Sequence, residues 1–294
     1  MIRYNRQNIT KVLSSIGIML MGLSFTQCSV NTEQGSHIDI LKQSKPYSKD
    51  SRKFNIHAVC NPKRAAEIRD YFQLDTLYAD TASTWEKTLS IARFVATNIP
   101  HANQKVQPER KNAIYLWEYT KTVEPAFNCR LHSIMLFEML TSVGIEATYV
   151  TCMPKDCHDS DCHVVNQVWL PEQRKWVMID SDMGGCYATD SVGNLLSLQE
   201  MREYYINDMT ILYHPQFGAP VGKDFWYHDY MAKNTYWFSC WETIHFDQEP
   251  SEGKDVGRYI HLIPKGYKPF GTNWGDVETS DDEQFWAAPK KTYK

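Results

Sequence analysis

Three stretches in the first half of the chain show the spacing of apolar residues typical of α-helices. The first covers 61–72, and the second covers 81–99 and ends before Pro100. The third, 128–143, is apolar around most of its circumference and is followed by Gly144, a common C-terminal stop. We therefore expect two amphipathic helices and one largely buried helix.

The pattern then changes to short runs typical of β-strands. These runs cover 147–152, 163–170 and 176–180, and the turn-rich letters PEQRK separate the last two. A further short helix is expected over 198–206. Helices followed by a run of strands favour an α+β domain.

The turn between the last two strands suggests an antiparallel hairpin with a definite register. If Trp169 lies opposite Arg174, then His163 lies opposite Asp180. Directly opposed Cβ atoms are about 5 Å apart, close enough for the carboxylate to hold the imidazole. A shift of the register by one residue would turn one of these side chains to the other face.

The last part of the chain, 216–294, is aromatic and rich in turns. We interpret it as a β-rich extension packed on a core domain over 56–215. Its aromatic residues either line a groove for a glycan or peptide or, as we prefer, form the core of a sheet. These residues are Trp226, Tyr227, Tyr230, Tyr236, Trp237, Trp241, Trp274 and Trp286.

The N-terminus has the pattern of a signal peptide over 1–27. Arg3, Arg6 and Lys11 precede an apolar stretch over 12–25, which is too short to span a membrane comfortably. Residues 28–55 are polar and irregular, as in a tether. We therefore expect an exported domain.

Cys28, directly after this stretch, resembles the acylated cysteine of a bacterial lipobox. Gln27 and Phe25 depart from the usual residues of that motif. The sequence favours a lipoprotein of the cell envelope attached to the membrane through Cys28. Ordinary secretion and a single N-terminal anchor are the alternatives.

The charge of the chain argues against nucleic acid as a partner. The formal net charge is -4. The signal segment contributes three positive charges and no negative ones, so the remainder carries -7. No long basic run is present, whereas nucleic-acid-binding domains are usually basic.

Cys129 stands at the expected start of the buried helix. Unpaired backbone N–H groups and the helix dipole favour a thiolate there, and they offer donors for a developing oxyanion. Taken alone, Cys129 would more often be a buried structural residue. The hairpin that pairs His163 with Asp180 changes this balance, because a base and a group that orients it then accompany the thiol.

These residues resemble the transglutaminase-like superfamily within the papain-like group. The resemblance rests on Cys129 opening a helix, Gly144 near its end, His163 opening a strand, and the strand Trp176–Asp180. It implies a helical N-terminal part, with the nucleophile at a helix N-terminus, packed on an antiparallel sheet. Phe127-Asn128 departs from the Gly that many members have before the cysteine. Trp117 is a candidate for the second oxyanion donor, but no pattern in the sequence places it there, so that role stays open.

The resemblance implies that Cys129 attacks a carboxamide and forms a thioester, with His163 as base and Asp180 fixing its tautomer. Water would make the enzyme a hydrolase, which we expect to be peptidase-like. The expected substrate is a peptide or protein, with cell-wall peptides and glycoconjugates as options, and no cofactor is expected. A protein-crosslinking transglutaminase and a surface binding module with a vestigial triad are the alternatives.

A stretch rich in cysteine and histidine, CMPKDCHDSDCH, precedes and includes His163. It offers Cys152, Cys157 and Cys162 as zinc ligands or as partners in a disulfide. The spacing matches no standard zinc finger, so a disulfide or unpaired thiols is the preferred interpretation. If His163 bound structural zinc, it could not act as a base.

Overall fold

We describe the protein from a computed structural model over residues 36–156, 158–246, 257–269 and 275–289. These ranges belong to one compact unit. They contain the helices α1 (His37–Lys42), α2 (Pro62–Phe72), α3 (Thr84–Asn98), α4 (Ala113–Thr122), α5 (Cys129–Ser142), α6 (Leu198–Ile206), α7 (Trp226–Asn234) and α8 (Asp282–Phe285). Short 3₁₀ turns occur at Leu74–Thr76 and Pro215–Phe217.

The helix starts follow from capping side chains. Asn61 caps α2 by accepting a hydrogen bond from the backbone N–H of Arg64, while Pro62 takes the first helical position. Ser83 and Glu86 cap each other's backbone at the start of α3. These positions confirm the first two predicted helices to within three residues at each end.

Most of the strands form one eight-stranded sheet in the order β10-β9-β7-β2-β3-β4-β5-β6. All neighbours are antiparallel except the parallel pair β9 and β10. A separate parallel pair joins β1 and β8. The strands are β1 (His57–Val59), β2 (Ala147–Met153), β3 (His163–Leu170), β4 (Lys175–Asp180), β5 (Cys186–Thr189), β6 (Leu212–Tyr213), β7 (Trp237–Trp241), β8 (Thr243–His245), β9 (Tyr259–Leu262) and β10 (Val277–Thr279).

Helix α5 lies at the centre of the fold. It packs against α2, α3 and α4 on one side and against β2 and β3 on the other. Eleven of its residues are buried, from Leu131 to Ser142. This confirms the prediction of a helix that is apolar around most of its circumference, and the α+β class with it.

The register of the β3–β4 hairpin differs from the prediction by two residues. Trp169 lies opposite Trp176 and Leu170 opposite Lys175, so the four-residue turn lies one position further along the chain than the one we assumed. Arg174 closes that turn in the left-handed conformation, with φ 52°. Continued along β3, this register places Asp180 opposite Val165. A shift of two keeps every side chain on its face, so His163 and Asp180 become diagonal neighbours rather than a direct pair.

The C-terminal region differs from the predicted β-rich extension in two ways. Its strand β7 pairs directly with β2, so this region completes the main sheet instead of packing on it. In addition, the aromatic run begins with the helix α7 rather than with a strand. The preferred interpretation of a sheet core holds for Trp237 and Trp241, which are buried, but not for Trp226, which is 52% exposed.

Part of the predicted tether packs on the domain. Helix α1 contacts α6 and α7, and its Leu41 is 1% exposed. Its start is capped reciprocally by Ser36 and Asp39. The signal segment and Cys28 lie outside the described residues.

None of the described helices is long and apolar enough to cross a membrane.

Cysteine pairing can be followed for six residues, none of which forms a disulfide with another: Cys60, Cys129, Cys152, Cys162, Cys186 and Cys240. Cys157, a candidate in the predicted disulfide or zinc site, lies outside the described residues.

Candidate active site

Cys129 is the first residue of α5, at the helix end where backbone N–H groups lack intrahelical partners. Asn128 caps this end, since its side chain accepts a hydrogen bond from the backbone N–H of Leu131. The Cys129 side chain is partly buried, whereas most of the helix behind it is fully buried. The thiol thus stands where the helix dipole favours a negative charge.

His163 and Asp180 are joined across the hairpin by a hydrogen bond of 2.7 Å between Nε2 and Oδ2. Both side chains are buried, with exposed fractions of 0% and 1%. The other ring nitrogen of His163, Nδ1, has no hydrogen-bond partner among the described residues. The Cys129 sulfur lies within 4.8 Å of a ring nitrogen of His163. Nδ1 is therefore the nitrogen available to the thiol.

The charges of this pair reinforce each other. Burial alone would lower the pKa of His163, but the carboxylate of Asp180 and the adjacent Cys129 outweigh it, so this pKa is raised well above 6.5. Burial likewise opposes ionisation of Asp180, yet His163 and the hydrogen bonds to the carboxylate keep its pKa below 3.8. Together these shifts favour an imidazolium beside a carboxylate.

Tyr227, from α7, completes the environment of Asp180. Its hydroxyl donates to Asp180 Oδ2 at 2.6 Å and lies 3.3 Å from His163 Nε2. Burial and the nearby Asp180 raise the pKa of Tyr227 well above 10, so its hydroxyl stays protonated and can donate. The other carboxylate oxygen, Oδ1, accepts from the backbone N–H of Asp182 at 2.8 Å. Both oxygens of Asp180 are thus held in place.

Helix α7 also fixes the loop that leads into β3. The Tyr230 hydroxyl donates to the carbonyl of Cys162 at 3.3 Å, and its ring lies edge-on to His163. Lys233 bridges Asp159 and Asp161 at 2.9 Å each. Asp159 and Asp161 of this loop therefore pair with a lysine. The sequence alone did not indicate this pairing.

A second His–Asp pair lies close to the thiol. His101 Nδ1 and Asp182 Oδ2 are 2.8 Å apart, and the histidine side chain is 34% exposed while Asp182 is fully buried. His132, from α5, places its Nε2 3.3 Å from Asp182 Oδ1, and burial lowers its pKa below 6.5. At neutral pH His132 is therefore an uncharged neighbour of Asp182.

Trp117 and Gln104 bear on the open question of the second oxyanion donor. Trp117 stacks on Phe94 and meets Phe72 edge-on, so it belongs to an aromatic cluster between helices. Gln104 instead lies beside the start of α5, where its Oε1 accepts from the backbone N–H of Asn128 at 3.3 Å. Its Nε2 donates to Gln107 Oε1 at 3.2 Å, so the second donor is assigned to neither residue.

Within the described residues, one group of side chains has donor atoms close enough together to hold a metal ion. It consists of Cys129, His163 and Asp182, with one donor atom of each within 4.8 Å of the others. This set differs from the cysteine-rich stretch that the sequence suggested for zinc. A metal ion bound here would occupy the nucleophile and its base, so it would block a thiol mechanism rather than assist it.

The comparison with known protein families agrees with this geometry. Residues 74–181 match the sequence profile of the transglutaminase-like superfamily. Over this range the chain is similar to a transglutaminase-like core. The matched range includes Cys129, His163 and Asp180, and it confirms the superfamily predicted from the sequence.

Solved structures with a similar arrangement are distant in sequence. A candidate cysteine protease from Cytophaga hutchinsonii is 13% identical, with a TM-score of 0.32 over 51% of this chain and 43% of the other. A candidate protease from Parabacteroides distasonis is 16% identical, with a TM-score of 0.26 over 39% of this chain and 24% of the other. The chain thus spans less than half the length of either protein. No curated protein matches it in sequence.

The transglutaminase-like core brings together the three predicted site residues, whose catalytic roles stay a prediction. Sequence reasoning missed Tyr227, His101 and Asp182. Tyr227, Tyr230 and Asn234 recur at helical spacing, and this pattern could have indicated the helix that carries Tyr227. We interpreted the region as β-rich and therefore did not predict that helix. For His101, which is far from the hairpin in sequence, no local pattern pointed to the site.

Proposed function

We propose that this protein is a cysteine-dependent amide hydrolase or acyltransferase, peptidase-like in its preference for peptide or protein carboxamides. Cys129 is the nucleophile, His163 the base and Asp180 the group that orients the base. The proposal is carried by one observation, the buried hydrogen bond that ties His163 Nε2 to Asp180 and leaves Nδ1 for the thiol. The transglutaminase-like core supports a cysteine-dependent enzyme more generally.

In this mechanism the Cys129 proton rests on His163 Nδ1 before the attack, as the raised pKa of His163 favours, and the thiolate sulfur attacks the carbonyl carbon. The C–N bond of the tetrahedral intermediate then breaks, and the imidazolium gives its proton to the leaving amine. Water attacks the resulting thioester, with His163 accepting its proton, and releases the acid and the thiol. An amine in place of water would give transamidation.

Asp180 serves two purposes in this cycle. Its hydrogen bond to Nε2 selects the tautomer in which Nδ1 is the acceptor, and its charge stabilises the imidazolium that forms. Backbone N–H groups at the start of α5 are available to the oxyanion. An exposed aromatic side chain, Trp226, contacts Tyr230 beside the site, which suits a substrate larger than a single amino acid.

The reactivity of individual thiols tests the proposal. At pH 7, iodoacetamide should alkylate Cys129 faster than Cys162 and Cys60, because burial raises the pKa of both comparison thiols. Peptide mass spectrometry gives each rate separately. In a His163→Ala variant the advantage of Cys129 should disappear. Equal, slow labelling of all three thiols in the unmodified chain would favour a binding module with a vestigial triad.

Incubation with cell-wall peptides and protein extracts would identify the acyl donor. A mass increase on Cys129 that hydroxylamine removes is the expected sign of a thioester, and Cys129→Ala is the matched control. Release of free acid distinguishes hydrolysis from transfer to an added amine.

We further propose that the protein is a lipoprotein of the cell envelope, anchored through Cys28. The apolar stretch before Cys28 supports this placement. The mature chain should begin at a diacylated Cys28 and partition into detergent, and a Cys28→Ser variant should not. A soluble mature chain with an unmodified N-terminus beyond Cys28 would contradict the anchor.

A further inference from the structure

A cavity of about 520 Å³ lies at the opposite end of α5 from Cys129. Its walls come from α2, the last turn of α5, the start of β2 and the segment around α8. Apolar side chains, among them Ala65, Val143, Ile145, Ile244 and Phe285, form much of the lining. Its volume lies within the range of cavities that bind small organic molecules.

The cavity contains a hydrogen-bond donor with a fixed direction. Gln167, on β3, is 0% exposed, and its Oε1 accepts from the backbone N–H of Leu198 at 3.0 Å. This bond assigns the oxygen of the amide, so Nε2 is the free end. Nε2 has no partner among the described residues, although Gln167 lines the cavity. A buried donor left in this way is unfavourable unless something accepts from it.

Two more neutral polar groups in the lining share this property. Trp286 Nε1 and Thr141 Oγ1 are buried and have no partner among the described residues. The lining also contains two charged residues, Arg69, whose Nε lies 3.6 Å from Asp75 Oδ2, and Glu146, which lies close enough to Cys60 to raise the pKa of that thiol. The unpartnered groups of the cavity are therefore an amide N–H, an indole N–H and a hydroxyl, all uncharged, which suit an uncharged oxygen acceptor.

We infer that this cavity is a binding site for a small neutral amphiphile, an apolar chain or ring that carries a carbonyl oxygen. The apolar lining takes the hydrocarbon part, and Gln167 Nε2 and Trp286 Nε1 donate to the oxygen. The site is distinct from the candidate active site, because the cavity lining includes none of Cys129, His163 and Asp180.

The probe for this site is decanamide, added to the purified chain in detergent-free buffer. Trp176 and Trp286 both line the cavity, so their fluorescence reports occupancy directly. Saturable binding at one molecule per chain and a rise in melting temperature of about 5 °C near saturation are expected. A linear, unsaturable change in fluorescence, or no change, would overturn the inference.

Variants separate the cavity from nonspecific binding. Ala65→Leu, in α2, fills part of the volume and should abolish saturable binding; Ala66→Leu serves the same purpose if that chain does not fold. Gln167→Met should weaken decanamide binding about five- to tenfold by removing one donor. Ser197→Ala removes the capping side chain at the start of α6, next to Leu198. Ser197 does not line the cavity, so this variant should leave the affinity for decanamide unchanged. Unaltered affinity in both filling variants would place the probe elsewhere.

These measurements are independent of the proposed enzyme function. Decanamide should bind equally well to Cys129→Ala, in which no thioester can form. Loss of binding in that variant would mean that the amide occupies the candidate active site instead of the cavity.

Discussion

Two His–Asp pairs lie close to Cys129, and they differ in the exposure of their histidines. In the His163–Asp180 pair both side chains are buried, and both carboxylate oxygens accept hydrogen bonds. In the His101–Asp182 pair the histidine is 34% exposed. A similar distance, 2.7 Å in one pair and 2.8 Å in the other, therefore occurs in two different electrostatic settings.

The difference teaches that distance alone does not make a catalytic pair. A buried pair interacts more strongly because water screens it less. The pKa of His163 is accordingly raised despite its burial. We therefore expect the proton transfers to run through His163, while His101 affects the approach to the site.

The largest loss of activity should come from removing the Cys129 sulfur, which lies close to both His–Asp pairs. Cys129→Ala should abolish turnover, and Cys129→Ser should be almost as inactive because a hydroxyl is much harder to deprotonate. Cys162→Ala, which changes the neighbouring thiol, is the matched control and should retain activity. Turnover on the substrate identified by trapping, with melting curves to check folding, measures this. Substantial turnover by Cys129→Ala would exclude a thioester.

Replacing the two histidines separates the pairs directly. His163→Ala should reduce kcat/KM by about 10²–10⁴-fold, the usual contribution of a general base, whereas His101→Ala should cost less than about tenfold. Residual activity of His163→Ala should rise with pH as hydroxide forms the thiolate unaided. Equal losses in the two variants would show that the buried pair has no special role.

Replacing the two carboxylates, Asp180 and Asp182, should give a smaller difference in rate than replacing the two histidines. Asp180→Asn should reduce the rate by less than the roughly 10⁴-fold known for such a change in another triad enzyme, because papain-like enzymes tolerate a neutral third member. Asp182→Asn should have the weaker effect of the two. The double variant His163→Ala, Asp180→Asn should be scarcely worse than His163→Ala. Losses that simply multiply would mean that His163 and Asp180 act independently.

The pH dependence follows from the direction of the shift at His163. A raised pKa means that the imidazolium persists above pH 6.5, so its stabilising interaction with Asp180 is complete below that pH and is lost as the pH rises through the folded-state value. The alkaline limb of kcat/KM should therefore lie well above 6.5, because the imidazolium must give its proton to the leaving amine. Asp180→Asn should move this limb to lower pH, and an unchanged limb would show that the carboxylate does not set the pKa.

Tyr227→Phe should give the smallest effect. It removes one hydrogen bond to the Asp180 carboxylate and keeps the ring, so the free energy of unfolding should fall by about 1.5–3 kcal/mol. The rate should fall by less than tenfold, since His163 keeps its own bond to Asp180. Tyr230→Phe, in the same helix, provides a comparison that leaves Asp180 untouched. Denaturant unfolding and kcat/KM measure both changes.

The sequence predicted the elements that carry the triad because their signals are local. Asn128, Gly144 and the apolar periodicity between them define α5 without any tertiary information. The hairpin register was wrong by two residues because the turn lies one position later than assumed, and the left-handed conformation of Arg174, its last residue, has no distinctive residue type. The even shift preserved the faces, so the pairing of His163 with Asp180 survived the error.

The remainder of the site could not be predicted because it depends on contacts between distant segments. Tyr227 reaches Asp180 across 47 positions of sequence, and His101 reaches Asp182 across 81. Aromatic residues in a turn-rich segment look alike whether they fill a core or donate a hydrogen bond. Only the placement of α7 against the hairpin distinguishes these roles.

The position of β7 between β2 and β9 has a consequence for the order in which the molecule matures. Thr151 of β2 pairs with Ser239 of β7, 88 positions later in the chain. Contacts of this range form late, since a long loop must close first. As α7 directly precedes β7, the hydroxyl of Tyr227 reaches Asp180 in the same late step. A nascent chain would therefore hold its cysteine in an unfinished setting until most of the sequence had been made.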